Sequence, residues 1–200
     1  MIDAILDEGV VCFVGIAAEA SPVVIPMAYG RRGDELILHG AQASRLLRAG
    51  AAGTPLCVTV TLIDGLVLAR SAFHHSLNYR SVVLFGVARE LTDGDEKAAA
   101  LAAVVEHLLP GRFAAVRPPN AKELAATRVL AVPIDTASAK RRTGGPLDDA
   151  EDEGWPCWAG EIPLVLTAQP PRPTTQGTPP GGPPASVRDY QPGKRFASDR

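Results

Sequence analysis

The 200-residue sequence has few of the residues that mark secreted, metal-binding or nucleic-acid-binding proteins. Its three cysteines, Cys12, Cys57 and Cys157, are an odd number at wide spacing, which predicts neither a disulfide framework nor a paired-cysteine zinc site. Aromatic residues make up only 5% of the chain, which argues against a surface that stacks single-stranded bases. The formal net charge of -2 provides no overall field that would attract nucleic acid or an anionic membrane.

Long apolar runs and the motifs of several enzyme classes are also missing. No apolar run approaches the roughly 20 residues of a membrane-spanning helix, and the acidic first residues do not resemble a secretory signal peptide. The sequence contains no nucleophile elbow, no Walker loop and no glycine-rich dinucleotide fingerprint. These absences predict a soluble cytoplasmic protein without a bound metal ion, and the free cysteines fit a reducing compartment.

What the sequence does contain is apolar material, 46% of the residues, arranged mostly in strand-like runs. These runs cover residues 10–17, 23–29, 35–39, 56–63, 66–72, 79–90 and 128–134. Asp64-Gly65 predicts a tight hairpin turn between two of them. Helices are predicted at residues 1–7, at residues 43–51 with Ser44 near the start, behind Asp93, and at residues 122–126. The helix behind Asp93 is expected to bury one helical stripe, made of Ala98, Leu101, Ala102, Val105 and Leu108.

The order of these elements predicts the fold class. Strands linked by hairpins pair in the antiparallel sense, and closing a small antiparallel sheet removes its exposed edges. The sequence therefore predicts a mainly β fold, a compact barrel flanked by helices, over residues 1–167. Residues 168–200 are rich in proline and glycine and cannot bury enough apolar surface to offset their ordering cost, so they are predicted to form a disordered tail.

The first candidate site lies where the third predicted strand ends and a helix begins, at His39, Gly40, Ser44 and Arg45. The N–H groups and partial positive charge of a helix N-terminus attract phosphate. Ser44 can donate a hydroxyl hydrogen bond, and Arg45 can make a charge-assisted bidentate contact. The same residues also fit a helix cap beside a solvated arginine, and the pattern alone leaves both interpretations open.

A polar, aromatic and basic island occupies residues 70–81, between two apolar strands. His74 and His75 are adjacent, and an extended backbone would direct them to opposite sides, so they are a poor chelating pair. One of them could be a proton donor, a contact at a flavin edge or an axial haem ligand, and a polar turn with surface histidines is the alternative. Arg70 and Arg80 could each hold an anion or pair with a carboxylate.

Three further features are ambiguous. Pro26 lacks an N–H and predicts either a bulge where a ligand meets the backbone or an ordinary edge strand. The basic run at residues 140–142 could contact an anionic ligand or be solvated. Trp155 and Trp158 could cover an apolar ligand or dock the C-terminal segment on the barrel.

Several of these segments combine into a pattern that resembles a known family. They are residues 39–48, residues 58–86, Val132-Pro-Ile-Asp135, Ser138-Ala-Lys140 and residues 158–164. The combination resembles the flavin-nucleotide-binding proteins of the pyridoxamine 5'-phosphate-oxidase-like group, to which the nitroimidazole-resistance proteins belong. The resemblance covers roughly residues 2–165. It implies a split β-barrel, a homodimer, and FMN bound at the dimer interface, with haem and a deazaflavin as alternative cofactors.

The resemblance also implies roles for particular residues. The isoalloxazine ring would lie along Pro26, Met27, Ala28 and Tyr29. The phosphate would be surrounded by His39, Gly40, Ser44 and Arg45. Tyr79 and Arg80 would come from the partner strand or line the pocket mouth. His74 or His75 matches the histidine near the flavin in the nitroimidazole-resistance proteins. Many relatives have histidine where Phe13 stands here, which is a departure from the pattern.

The implied function is that of an FMN-dependent oxidoreductase acting on a small molecule, by nitro-aromatic reduction or amine oxidation. His74 or His75 would be its catalytic proton donor. The alternative is a non-catalytic protein that carries or senses flavin or haem. Neither interpretation involves nucleic acid or a membrane.

Overall fold

The computed structural model describes residues 1–18, 21–174 and 181–192 of the chain. In this part the strands are β1 (Val11–Ile16), β2 (Val23–Arg32), β3 (Glu35–Ala41), β4 (Leu56–Leu68), β5 (Ser76–Gly86), β6 (Arg89–Glu90), β7 (Thr127–Pro133), β8 (Ala137–Arg142) and β9 (Gly160–Pro163). The α-helices are α1 (Ile2–Glu8), α2 (Arg45–Ala51), α3 (Gly94–Leu108), α4 (Ala121–Ala126) and α5 (Ala185–Arg188). Short 3-10 helices cover Ala72–His74 and Phe113–Ala115.

All the strands belong to one antiparallel sheet with the order β6-β7-β3-β2-β1-β4-β5-β8, and β9 pairs with β4. The sheet curls around a core to which most of its strands contribute. The core side chains include Val14, Leu38, Val58, Leu84 and Leu130, each 1% exposed or less. The predicted mainly β fold with flanking helices is therefore confirmed.

Two helices close the ends of this curled sheet. In α1, Ile5 and Leu6 are buried, and the hydroxyl of Tyr29 donates a hydrogen bond to the Leu6 carbonyl oxygen at 2.5 Å. In α2, Leu46 and Leu47 enter the core. Because both helices are only seven residues long, packing rather than helix propensity holds them in place.

A third helix covers part of the outer surface of the sheet. The Ala100 and Val104 side chains of α3 pack with Ile37 of β3 and Val129 of β7 in a second buried cluster. Gly30 of β2 lies directly under the helix, where a Cβ atom would be only 2.8 Å from the backbone N and Cα of Val104. Glycine is therefore what allows this close approach of strand and helix.

The prediction of a hairpin turn at Asp64-Gly65 is wrong. The chain continues through both residues as the 13-residue strand β4, and the pairing with β5 shifts by one residue between Ile63 and Gly65. This is a β-bulge, which bends a strand without ending it. Gly65 faces β9, and a Cβ atom there would lie 3.0 Å from the Ile162 carbonyl oxygen. The close approach of β9, rather than a turn, explains why a glycine occupies position 65.

The predicted buried stripe of α3 is rotated relative to the observed one. Asp93 caps the helix as expected, accepting hydrogen bonds from the N–H groups of Asp95 and Glu96. The buried residues, however, are Lys97, Ala100 and Val104. The larger side chains Leu101, Val105 and Leu108 lie beside a cleft, because the helix packs closely over Gly30 with the face that carries Ala100 and Val104.

Strands β8 and β9 were not predicted, and the basic run at residues 140–142 belongs to β8. Within the predicted tail, α5 forms one helical turn at Ala185–Arg188. Residues 175–180 and 193–200 of that tail lie outside the described residues, so the predicted disorder and the domain boundary remain predictions. None of the helices in the described part of the chain is long and apolar enough to cross a membrane.

Candidate functional site

The outer face of β2, β1, β4 and β5 carries apolar side chains that point to solvent. Phe13 of β1 lies beside Pro26 of β2 and Thr59 of β4, and Val24 and Phe85 lie in the neighbouring row of the same face. Phe13 is 46% exposed, Val24 59% and Phe85 54%. Contiguous apolar surface of this kind is rare on soluble monomers unless it binds a ligand or a partner. We call this surface the outer face.

A cleft of about 360 Å³ opens between β3 and α3, where Ala28 continues the outer face. The volume lies within the range of small-molecule pockets. Ala28 and His39 are contributed by the sheet. The rest of the lining is mainly apolar and comes from α3 and the segment after it, namely Leu101, Val104, Val105, Leu108, Phe113, Val116, Arg117, Pro119 and Glu123. We call it the His39 cleft.

His39 is the titratable group at the sheet side of this cleft. Its Nδ1 atom is buried and has no hydrogen-bond partner among the described residues. Burial lowers the pKa of His39 below its ordinary value, so the imidazole is neutral at pH 7. A neutral imidazole with an unpaired nitrogen can donate or accept one hydrogen bond according to its tautomer, which suits the polar edge of a bound ring system.

The lowered pKa of His39 predicts a pH dependence of folding stability. The unfolded chain binds a proton more readily than the folded one, so stability is fully present above the ordinary pKa of 6.5 and is lost as the pH falls below it. The slope from this residue is at most about 1.4 kcal/mol per pH unit. His39→Gln is expected to flatten the dependence between pH 5.5 and 7.5, measured by urea unfolding. Equal slopes in the two proteins would contradict the prediction.

The four β2 residues predicted to lie along a flavin ring divide between the two faces of the sheet. Pro26 is exposed on the outer face, and Ala28 lies in the His39 cleft. Met27 packs against the core, and Tyr29 is fully buried with its ring centroid 4.6 Å from that of His107. Only the first pair is placed to touch a ligand on the outer surface, because successive residues of a strand alternate in direction.

The residues predicted to surround a phosphate have different surroundings in the structure. The Ser44 hydroxyl oxygen accepts a hydrogen bond from the Leu47 N–H at 3.4 Å and so caps α2. Gly40 faces the core, where a Cβ atom would lie 2.9 Å from Cδ1 of Leu47. Arg45 is exposed, and no described carboxylate pairs with it. The cap interpretation therefore holds for Ser44, and Arg45 is the group that remains available to an anion.

Arg80 and Arg70 are both held by carboxylates. Arg80 donates to Glu8, at the end of α1, and to both carboxylate oxygens of Asp64 at 2.7 and 2.9 Å. Arg70 pairs with Asp148 at 2.7 Å. Of the two roles considered for these arginines, the structure shows the structural one. Tyr79, by contrast, lies on the outer face opposite Ile63, which is 45% exposed.

The two adjacent histidines lie in a loop between β4 and β5. Nε2 of His74 is 3.0 Å from Oδ2 of Asp149, and Nδ1 of His75 is 2.9 Å from the carbonyl oxygen of Ser71. This loop follows the last residue of β4, whereas α2 precedes the first residue of the same strand. β4 has 13 residues, and an extended strand of that length spans roughly 40 Å. Within one chain the histidine loop and α2 are therefore connected to opposite ends of β4.

The cleft residues of α3 and of the segment that follows it were not predicted as site residues from the sequence. Leu101, Val105 and Leu108 were assigned to the core, and Phe113 and Val116 were not considered. The sequence did contain a signal for them, since α3 carries two apolar stripes. A helix that packs on one small sheet needs only one such stripe for the core. No group of three histidine, cysteine or acidic side chains that could hold a metal ion occurs within residues 1–18, 21–174 and 181–192.

Residues 1–141 match the sequence model of the pyridoxamine 5'-phosphate oxidase family. The chain belongs to this family. The resemblance stated from the sequence is thereby confirmed. A search of curated proteins found no match.

Solved structures of this family's fold include two that are similar over nearly the whole chain. The FAD and haem binding protein from Mycobacterium smegmatis is 39% identical, with a TM-score of 0.90 over 96% of this chain and 94% of that one. The flavocytochrome Anf3 from Azotobacter vinelandii is 40% identical, with a TM-score of 0.88 over 95% and 88% of the two chains. A candidate 5-nitroimidazole antibiotic resistance protein from Bacteroides thetaiotaomicron is 25% identical, with a TM-score of 0.56 over 69% and 80%. The predicted split β-barrel is confirmed by these similarities.

Proposed function

We propose that this protein is a flavin- and haem-binding oxidoreductase that works as a homodimer. The observation that carries the proposal is the similarity to an FAD and haem binding protein and to a flavocytochrome, each about two-fifths identical over at least 95% of this chain. Coverage this high leaves at most 5% of this chain unmatched. The cofactors supply the redox chemistry when bound, and the protein supplies position and electrostatics.

The outer face and the His39 cleft are the proposed flavin site. A planar ring needs apolar contact area, which Phe13 and Pro26 offer, and a polar edge, which the neutral His39 offers. An anionic nucleotide tail needs cations, and Arg45 is exposed while Lys140 lies opposite Ser81 on the outer face. We propose FAD as the flavin, in place of the FMN expected from the family resemblance, because one of the two similar structures is named for FAD.

A second copy of the chain is the proposed partner. The exposed side chains of the outer face need a cover, and another outer face is an apolar cover of matching character. In one chain, the histidine loop and Arg45 lie near opposite ends of β4. A two-fold axis through the outer face would bring the loop of one copy towards the α2 region of the other.

Each part of the site has a defined task in this proposal. The α3 side chains Leu101, Val105 and Leu108 exclude water from the cleft. His39 orients the ring edge by one hydrogen bond, and Arg45 holds negative charge. The substrate is a small molecule, of the nitro-aromatic or amine class expected from the family resemblance.

The deciding experiment is an absorption spectrum of the purified protein, followed by mass analysis of what it releases on denaturation. We expect a flavin spectrum together with a haem Soret band, and the mass of FAD. The mass of FMN or of a deazaflavin would correct the flavin while keeping the site. Reduction of the bound flavin by a pyridine nucleotide would support an oxidoreductase, and its absence with every donor tried would favour a carrier or sensor. A colourless protein that stays colourless after reconstitution with flavin and haem would overturn the proposal.

A further inference from the structure

The segment between α3 and α4 forms one wall of the His39 cleft. It covers residues 109–120, and we call it the strap. Three of its apolar side chains, Phe113, Val116 and Pro119, line the cleft whose sheet side carries His39. The strap is therefore the part of the cleft lining that belongs neither to the sheet nor to an α-helix.

The strap is weakly attached to the rest of the molecule. None of its residues is buried, and no strand of the described chain pairs with it. Its backbone-to-backbone hydrogen bonds among the described residues are local turns, such as the one from the Val116 N–H to the Phe113 carbonyl oxygen at 3.3 Å. Segments with few buried contacts and only local hydrogen bonds open at a small cost in free energy. The strap can therefore leave the cleft while the sheet and α3 stay folded.

A carboxylate of α3 anchors the beginning of the strap. The two carboxylate oxygens of Glu106 accept hydrogen bonds from the N–H groups of Gly111 and Phe113, at 2.6 and 2.7 Å. Gly111 has φ +77°, in the left-handed region that favours glycine. The first turn of the strap is thus fixed to the helix, and the residues after Phe113 are the part that can move.

An ion pair holds the other end. The two terminal nitrogens of Arg117 donate to the two carboxylate oxygens of Glu123 at 2.6 and 3.0 Å, and both side chains line the cleft. The Arg117 side chain is 64% exposed and that of Glu123 47%. A bidentate pair has a specific geometry, but an exposed ion pair adds little stability. Such a pair can hold the strap in one position and still break and re-form.

Salt rather than pH is expected to weaken this ion pair. The Arg117 guanidinium lowers the pKa of Glu123 to about 2, so the carboxylate stays charged at neutral and mildly acidic pH. Both partners are in contact with water, where dissolved ions screen their attraction.

We propose that the strap is a gate on the His39 cleft and that the Arg117–Glu123 pair is its latch. With the latch formed, Phe113 and Val116 cover the cleft and retain what is bound there. With the latch broken, the strap moves away from α3 and opens the way to His39. The inference rests on the proposed function for the identity of the ligand, the flavin ring edge, and it adds the regulation of that site.

The first test needs no cofactor. Hydrogen exchange of the full-length protein, followed by mass spectrometry, measures how often the strap opens. Arg117→Gln removes the latch and leaves Glu123 free to cap α4, where it accepts from the Asn120 N–H. We expect the strap amides to exchange about 5-fold faster, since an exposed ion pair shifts an equilibrium by no more than that. Unchanged exchange of the β3 amides shows that the variant is folded.

A second readout reports on the cleft itself. Modification of His39 by diethyl pyrocarbonate, mapped peptide by peptide, is expected to accelerate by the same factor in Arg117→Gln. The matched control is Arg112→Gln, because Arg112 lies on the same strap and its side chain makes no ion pair within the described part of the chain. The control should leave both rates unchanged.

Charge reversal tests whether the latch is ionic. Arg117→Glu sets two carboxylates against each other and should open the strap more than Arg117→Gln does. In the double variant Arg117→Glu with Glu123→Arg, the pair is re-formed in reverse, and both rates should return towards those of the unaltered protein. Release of bound FAD, followed by its fluorescence after dilution, should follow the same order of variants.

The outcomes separate the gate from the proposed function. Faster exchange of the strap with unchanged reactivity of His39 would show that the strap moves without opening the cleft, and would overturn the inference. Unchanged exchange in both Arg117 variants would show that the pair is not a latch, with the same result. A protein that binds no flavin would overturn the proposed function, while hydrogen exchange and His39 modification would still decide whether the strap is a gate.

Discussion

Replacing Gly30 with alanine is expected to lower the free energy of unfolding by about 3 kcal/mol, at the upper end of the cost of overpacking a core. The added Cβ atom would lie 2.8 Å from both the N and Cα atoms of Val104 and 3.0 Å from the carbonyl carbon of Ala103. These are backbone atoms of α3 and cannot rotate away. The helix must therefore move off the sheet, and its contacts with β2 and β3 loosen along its whole length.

Urea unfolding at constant pH measures this effect, and Gly94→Ala is the matched control. Gly94 is the first residue of α3, and a Cβ atom there meets nothing within 4 Å. The control should be neutral or slightly stabilising, because alanine is the better helix former. The Gly30 variant should also bind flavin more weakly, since α3 forms one wall of the His39 cleft. An unchanged unfolding midpoint would show that the strand and the helix are not in close contact.

Replacing Phe13 with glutamate is expected to convert the proposed dimer into a monomer. Phe13 is 46% exposed, with the outer-face residues Pro26 and Thr59 on either side of it. A carboxylate at that position would be buried without a partner when two outer faces meet. A cost on the order of 3 kcal/mol corresponds to dimerisation weakened more than about a hundredfold.

Sedimentation or light scattering at micromolar concentration measures the oligomeric state, and Ala99→Glu is the control. Ala99 is exposed on α3, so its substitution adds the same charge away from the outer face. We expect a dimer for the control and a monomer for the Phe13 variant, with flavin affinity reduced in the monomer alone. A Phe13→Glu protein that stays dimeric would show that the interface lies elsewhere, and a monomeric unaltered protein would contradict the homodimer itself.

Features with a local cause were predicted well from the sequence. The Ser44 and Asp93 caps are present, because a cap depends on a side chain and an N–H group two or three residues away. The buried runs that became β1 and β3 were found for a similar reason, since β-branched and apolar residues in short runs favour strands wherever they pack.

Features with a distant cause were missed. Asp64-Gly65 has the sequence of a hairpin turn, but the long strand β4 passes through it because β9, almost a hundred residues later, pairs against Gly65. The buried stripe of α3 depends on Gly30, which lies on another element. The pairing of Arg80 with Glu8 and Asp64 joins three elements that no spacing rule connects.

The sequence by itself determined the family and the antiparallel barrel and indicated candidate site residues, because composition, strand periodicity and motif order are properties of the chain. Only the tertiary structure decided which of those residues are free to act. Arg45 stays available because no described carboxylate pairs with it, and Arg80 is occupied because two carboxylates reach it. A polar side chain either pairs within the protein or stays available to a ligand. Which of the two occurs depends on the atoms that folding brings within hydrogen-bonding distance.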